Sequence, residues 1–208
     1  MTPTDGSSSA DAVALWDSEA ATFDEAPDHG LLDAGVRAAW RSLLLDVLPP
    51  APGLVADLGC GTGTLAVLLA EERYRVEALD FSPAMVALAR EKVDAVPAGV
   101  CSRVSVRSGD AADPGLAPVS VDVVLCRHVL WALPDPVAAV GRWVSALRPG
   151  GRLVLVEGNW STGAGLTSAR CAEIVGEWCD RVEVRPLPDP ALWGRRITDE
   201  RYLALARA

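Results

Sequence analysis

The chain of 208 residues is short of the groups on which much protein chemistry depends. It has two histidines, two methionines, two tyrosines and two phenylalanines, and Lys92 is its single lysine. No apolar run approaches the ~18 residues of a membrane-spanning helix. The five cysteines, at positions 60, 101, 126, 171 and 179, contain no C-x-x-C pair. That spacing excludes the usual zinc cage, and the odd number excludes a closed disulfide framework. Buried thiols acting as small apolar groups are expected instead. The N-terminal MTPTDGSSSADA lacks the basic start and apolar stretch of a signal peptide, so residues 1–10 are expected to be a disordered tail and the protein cytoplasmic. The net charge is −9. Its basic residues are scattered, as in Arg37 with Arg41 and Arg103 with Arg107, without the stripe that a phosphate backbone requires. No nucleic acid, membrane or metal partner is expected, and the oligomeric state is not legible.

What is present is apolar material, half of all residues, enough for one domain of ordinary size. Residues 11–26 read as a weakly amphipathic helix, broken by Pro27. Residues 31–48 read as a second, with Leu32, Val36, Trp40, Leu43, Leu44 and Val47 on one stripe. Strands at 54–57, 75–80, 103–108, 121–126 and 152–157 then follow one another. Helices are expected at 62–72, from Ser82-Pro83, from Asp135-Pro136 to about residue 147, and at 167–179. Strands at 181–186 and 201–207 have no helix between them and are expected to pair antiparallel. The alternation predicts an α/β fold with a mostly parallel sheet and helices on both faces. Residues 11–50 form an N-terminal helical lid and 51–208 the core.

Ligands of such sheets bind beyond the carboxyl ends of the strands. Four of those ends here are polar or unusual: Asp57 to Gly63, Asp80, Gly109-Asp110 and Arg127-His128. The stretch V-A-D-L-G-C-G-T-G at 55–63 brings its third glycine one residue too early for the G-x-G-x-x-G dinucleotide turn, leaving Thr64 in that place. Asp57 ahead of the turn suits an ammonium group better than a pyrophosphate. Asp80 can accept from two ribose hydroxyls, Asp110 from an adenine amine, and Phe81 and Met85 offer apolar surface to a base. Ammonium, ribose and adenine together describe S-adenosylmethionine.

These stretches, with A-L-D-F-S-P-A-M, S-G-D-A, V-D-V-V-L-C-R-H-V-L and L-R-P-G-G-R-L-V-L, resemble the successive motifs of the class I S-adenosylmethionine-dependent methyltransferases. The branch similar to ubiquinone and menaquinone methyltransferases is the nearest. The resemblance covers residues 50–158 and implies a Rossmann-like seven-stranded sheet in the order 3-2-1-4-5-7-6, strand 7 antiparallel. It implies that Asp57, Gly59, Cys60, Gly61, Thr62 and Gly63 hold the methionine part of the cofactor. Asp80, with Phe81, Ser82 and Met85, would take the ribose and base; Gly109, Asp110 and the Ala111 backbone would read adenine; Arg127 would close over the amino-acid end. The nucleic-acid amine signature [N/D]-P-P-[Y/F] is replaced by C-R-H-V-L-W after the fourth strand, which points to a small acceptor. Phe23 stands where many relatives carry a tyrosine.

For the acceptor, His128 is the candidate base or orienter, the alternative being a histidine bonded to backbone at a strand end. His29 belongs either to the lid or to the cap of helix 31–48. Trp16, Phe23, Trp131, Asn159 and Trp160 are expected at the substrate pocket, with 161–165 as a mobile rim. Trp40, Trp143 and Trp178 are expected in the core, and Trp193, in the last connection, at the pocket or an interface. The leading expectation is methyl transfer to oxygen, nitrogen or carbon of a small molecule. An NAD-dependent oxidoreductase and a non-catalytic S-adenosylmethionine-binding protein are the alternatives.

Overall fold

The computed structural model describes residues 9–208. The tail expected over 1–10 lies outside the described residues as far as residue 8. The chain enters through helix α1 (Ser9–Glu19), a 3-10 turn (Ala20–Glu25) and the short α2 (Pro27–Gly30). It continues into α3 (Ala34–Val47). Asp33 starts α3 by accepting from the Gly35 and Val36 amides, so the helix begins three residues later than its apolar stripe suggests. Leu32, placed on that stripe by periodicity, therefore lies outside the helix and is 78% exposed. The cap of α3 is thus Asp33 and not His29.

Seven strands follow: β1 (Leu54–Leu58), β2 (Arg75–Asp80), β3 (Val104–Ser108), β4 (Val121–Arg127), β5 (Leu147–Asn159), β6 (Val182–Pro186) and β7 (Glu200–Arg207). They form one sheet in the order β3-β2-β1-β4-β5-β7-β6. The first five pair in parallel, and β7 runs antiparallel to both β5 and β6. The connecting helices are α4 (Thr64–Glu71), α5 (Pro83–Asp94), α6 (Ala98–Cys101), α7 (Pro136–Ala146), α8 (Ser168–Gly176) and α9 (Pro190–Trp193). Ser82, Asp135 and Thr167 cap α5, α7 and α8 with their side chains. Such a cap stabilises a helix by about 1 kcal/mol. The four-residue α2, α6 and α9 were not foreseen, since one turn is too short for periodicity to show.

Strand residues alternate between two cores. Val55, Val123, Leu125, Val154 and Val156 face α3 and α4, while Ala56, Val124, Cys126, Leu153 and Leu155 face α7 and α8. Trp40 and Trp143 are fully buried, and their indole N–H groups donate to the carbonyls of Leu192 and Ala111. Trp178 departs from its expected core position. It follows the end of α8, is 51% exposed, and donates to the Val137 carbonyl. The cysteines are free thiols, Cys126, Cys171 and Cys179 buried and Cys60 and Cys101 partly so. No helix among the described residues is long and apolar enough to cross a membrane.

Candidate active site

The turn after β1 is built around glycine. Gly59, Gly61 and Gly63 all have positive φ, at 72°, 54° and 76°. A β-carbon on Gly59 would lie 2.3 Å from a Val129 methyl, and one on Gly61 would lie 3.0 Å from the Phe23 ring. The amides within the turn are engaged by β2 and by the turn itself. The Gly59 and Cys60 amides both donate to the Leu79 carbonyl, Gly61 donates to Asp80 Oδ2, and Gly63 donates to the Cys60 carbonyl. α4 starts only at Thr64, with Gly63 as its left-handed cap. The turn is thus a rigid shelf tied to β2.

What it leaves unmet is a negative charge. Asp57 is 2% exposed, and its Oδ2 has no hydrogen-bond partner. Burial lifts its carboxyl to about 7; the Arg127 cation opposes that rise and Asp80 adds to it. An unpartnered, desolvated carboxylate costs several kcal/mol unless a cation reaches it, so the position fits an ammonium group. Asp80 accepts from the Gly61 amide on one oxygen and the Ser82 amide on the other, both at 2.9 Å. Each oxygen keeps a second lone pair, which suits a pair of hydroxyls. Gly109 donates to the Asp80 carbonyl, so the third tip joins the first two. Asp110 is exposed and folds onto its own turn through the Ala112 amide, while the Ala111 carbonyl is occupied by Trp143. Phe81 is partly exposed and Met85 buried. Cys60 is held as a thiol, its pKa raised by burial first and by Asp57 and Asp80 next.

The N-terminal segment lies directly on this shelf. Asp17 of α1 accepts from Ser82 Oγ and, at 3.0 Å, from the Ala84 amide at the head of α5. Asp24 accepts from Thr62 Oγ1 and from Lys92 Nζ at 2.7 Å, and the same ammonium reaches Thr64 Oγ1 at 2.6 Å. Asp17, Asp24 and Lys92 escaped the sequence reading, because acids on a helical surface carry no mark of their distant partners. Only the singularity of Lys92 was a signal.

At the β4 and β5 tips the side chains form a continuous ring wall. Trp16 meets Phe23 edge-on, and Phe23 stacks on His29 at 4.2 Å. His29 faces His128 at 6.4 Å, and His128 meets Trp160 at 5.2 Å and Trp193 at 6.2 Å. Trp131 packs on Trp160 and anchors its indole N–H on the His128 carbonyl. His128 itself is non-glycine at φ 60°, and its Nε2 is buried without a partner. Burial holds its pKa well below 6.5, with Arg127, His29 and Arg201 acting in the same direction. Beside it Arg127 donates to the Asp28 carbonyl and lies over the Trp40 ring. Asp28, His29 and His128 place three possible metal-ligand atoms within 4.8 Å of one another. The nearby Arg127 guanidinium opposes a dication there.

Trp193 is buried and packs beside His128 rather than on an outer face. The 161–165 segment closes as a hairpin on Trp160, whose amide donates to the Ala164 carbonyl, and Asn159 pairs with Gly165 beside it. Glu157, at the end of β5, is fully buried; its Oε1 accepts from the Val129 and Leu130 amides and so sets the loop carrying Trp131. Burial raises its carboxyl to about 8. A glutamate closing the apolar run L-V-L-V-E is the signal in the sequence that marks this position.

Fold, glycine shelf and acidic strand tips define a class, and comparison with known proteins agrees. Residues 56–155 match the family model described as a methyltransferase domain. The chain belongs to the class I S-adenosylmethionine-dependent methyltransferases, a class defined by its cofactor, S-adenosyl-L-methionine. It is 32% identical over 148 residues to the demethylmenaquinone methyltransferase of Beutenbergia cavernae, covering 71% of this chain and 58% of that enzyme. Two solved structures share the fold. The cyclase SpnF has a TM-score of 0.69 at 17% identity, covering 81% of this chain and 80% of that one. The geranyl diphosphate C-methyltransferase of Streptomyces coelicolor A3(2) has a TM-score of 0.68 at 16% identity, covering 82% and 78%. The chain spans between 36% and 60% of the lengths of its first curated relatives.

Proposed function

We propose that the protein transfers a methyl group from S-adenosyl-L-methionine to oxygen, nitrogen or carbon of a small, planar acceptor, of the size of a quinone or specialised metabolite. The observation that carries this reading is the unpartnered Asp57 Oδ2 beside the glycine shelf, one strand from an unpartnered His128 Nε2. When bound, the cofactor supplies a methyl group on a sulfonium, open to in-line displacement. Asp57 holds the ammonium end, Asp80 the ribose hydroxyls, and Phe81 with the Asp110–Ala111 turn borders the base. Trp131, Trp160, Asn159 and the lid residues Trp16, Phe23 and His29 enclose the acceptor and exclude water, so orientation and desolvation contribute much of the acceleration. His128 stays neutral at physiological pH, its Nε2 able to accept a proton from an acceptor hydroxyl.

Calorimetric titration with S-adenosylhomocysteine and with NAD tests the cofactor assignment; binding of NAD alone would sink it. With a panel of acceptors and labelled cofactor, His128→Ala is expected to slow transfer to hydroxyl acceptors at least a hundredfold, within the usual range for a lost general base. S-adenosylhomocysteine affinity should change less than about twofold. Unaltered turnover would return His128 to a structural role.

A further inference from the structure

Arg201 is the second residue of β7, and no pattern in the sequence marks it. Its side chain is 8% exposed. The guanidinium lies against two indoles at once, 5.0 Å from the Trp160 ring centre and 5.3 Å from that of Trp193. These are the two rings that also flank His128. The antiparallel register sets Arg201 opposite Gly158, where a β-carbon would lie 2.9 Å from Nη1. Glycine at that point of β5 lets the guanidinium approach the strand. The group therefore belongs to the same wall as His128, on the acceptor side of the sheet and away from the glycine shelf.

Its bonding is unfinished. Nε is buried and makes no hydrogen bond. Asp199 Oδ2 stands 3.1 Å from Nη1, an ion pair that occupies that end of the guanidinium and leaves Nε as the unmet donor. A guanidinium carries a fixed charge and five donors, and burying donors unmet opposes folding. Arginines kept for structure alone spend such donors on carbonyls, as Arg152 does on Val47 and Arg90 on Val106. Arg201 leaves its Nε unspent.

We propose that Arg201 is a specificity-determining residue, and that it receives a carboxylate carried on the ring of a planar acceptor, the ring itself packing against the indole wall. The assignment rests on the acceptor site proposed above. The stacked indoles favour a flat ring, and the unspent Nε–H on a fixed cation favours an oxygen anion as its acceptor. His128 Nε2 lies in the same wall, where it meets a hydroxyl on such a ring.

The test uses the full chain saturated with S-adenosylhomocysteine and follows tryptophan fluorescence during titration with 4-hydroxybenzoate or its neutral counterpart 4-hydroxybenzamide. The carboxylate is expected to bind at least tenfold more tightly. Arg201→Gln should bring the two within twofold, leaving the affinities for 4-hydroxybenzamide and S-adenosylhomocysteine unchanged. Equal binding by the unsubstituted protein, binding of neither probe, or a preference that survives in Arg201→Gln would overturn the assignment. Should that variant not fold, Arg201→Lys decides. It keeps the charge but loses the planar donor set, so the preference should fall at least threefold, and an unchanged preference refutes the role. Calorimetry with S-adenosylhomocysteine on the same samples reads the cofactor site separately. Its failure would count against the methyltransferase reading, whereas intact cofactor binding without a carboxylate preference would remove only Arg201.

Discussion

Acidification below pH 7 is expected to weaken S-adenosylhomocysteine binding through one carboxylate, and the size of the loss follows from the site. Asp57 is buried, one oxygen has no partner, and its carboxyl is lifted from 3.8 to about 7. A shift of that size corresponds to about 4 kcal/mol in favour of the protonated form while no cation is bound. An ammonium group needs the ionised form, so binding draws a proton off Asp57 whenever the pH lies below 7. Linkage then requires affinity to fall about tenfold per unit well below that point, or about 25-fold between pH 7.5 and 5.5. Isothermal titration at pH 6 in two buffers of different ionisation enthalpy should report release of about 0.9 proton. Asp57→Asn keeps the shape and removes the charge, so its affinity should stay near the acid floor and lose this pH dependence. Affinity constant within twofold from pH 5.5 to 7.5, with no proton released, would refute the reasoning.

Other positions give independent tests. Glu157 has its folded pKa raised to about 8, so the folded state holds an extra proton between about 4.5 and 8, and the stability it contributes is lost as pH rises through that window. Thermal melts of Glu157→Gln should show a shallower decline from pH 5 to 8.5 than the unsubstituted protein; parallel curves would place the titration elsewhere. Gly59→Ala adds a methyl at positive φ, costing about 1–2 kcal/mol from the backbone alone, and also collides with Val129. Adding Val129→Ala should recover the steric part but not the backbone part, as read by denaturant unfolding. Lys92→Met removes the ammonium that joins Asp24 to Thr62 and Thr64; amide exchange over residues 9–30 should quicken while the sheet's rates hold. Equal exchange would show that the lid is held by Phe23 and Asp17 instead.

The parts of the fold legible in the sequence were those with local causes. Proline-marked caps at Ser82 and Asp135 and apolar runs in the strands fixed most elements to within a residue or three. Two adjacent strands without a helix between them implied the antiparallel β7. The left-handed glycines after β1 told which strand tip mattered, because only a chain that must turn under close packing carries three of them. What escaped was set by contacts distant in sequence. Asp24 reaches 68 residues along the chain to Lys92, and Arg127 reaches back 99 residues to Asp28. Trp178 followed helical spacing but fell beyond the end of α8, where spacing no longer decides burial. Arg201 is the clearest case. Nothing in E-R-Y-L-A-L-A-R separates it from a solvated edge arginine until β7 is laid beside β5 and Gly158 makes room for it. The residues proposed to hold the cofactor sit in one continuous segment of the chain and can be read there. The proposed acceptor wall is assembled from the lid, two strand tips and β7, so its chemistry appears only once the sheet order has brought them together.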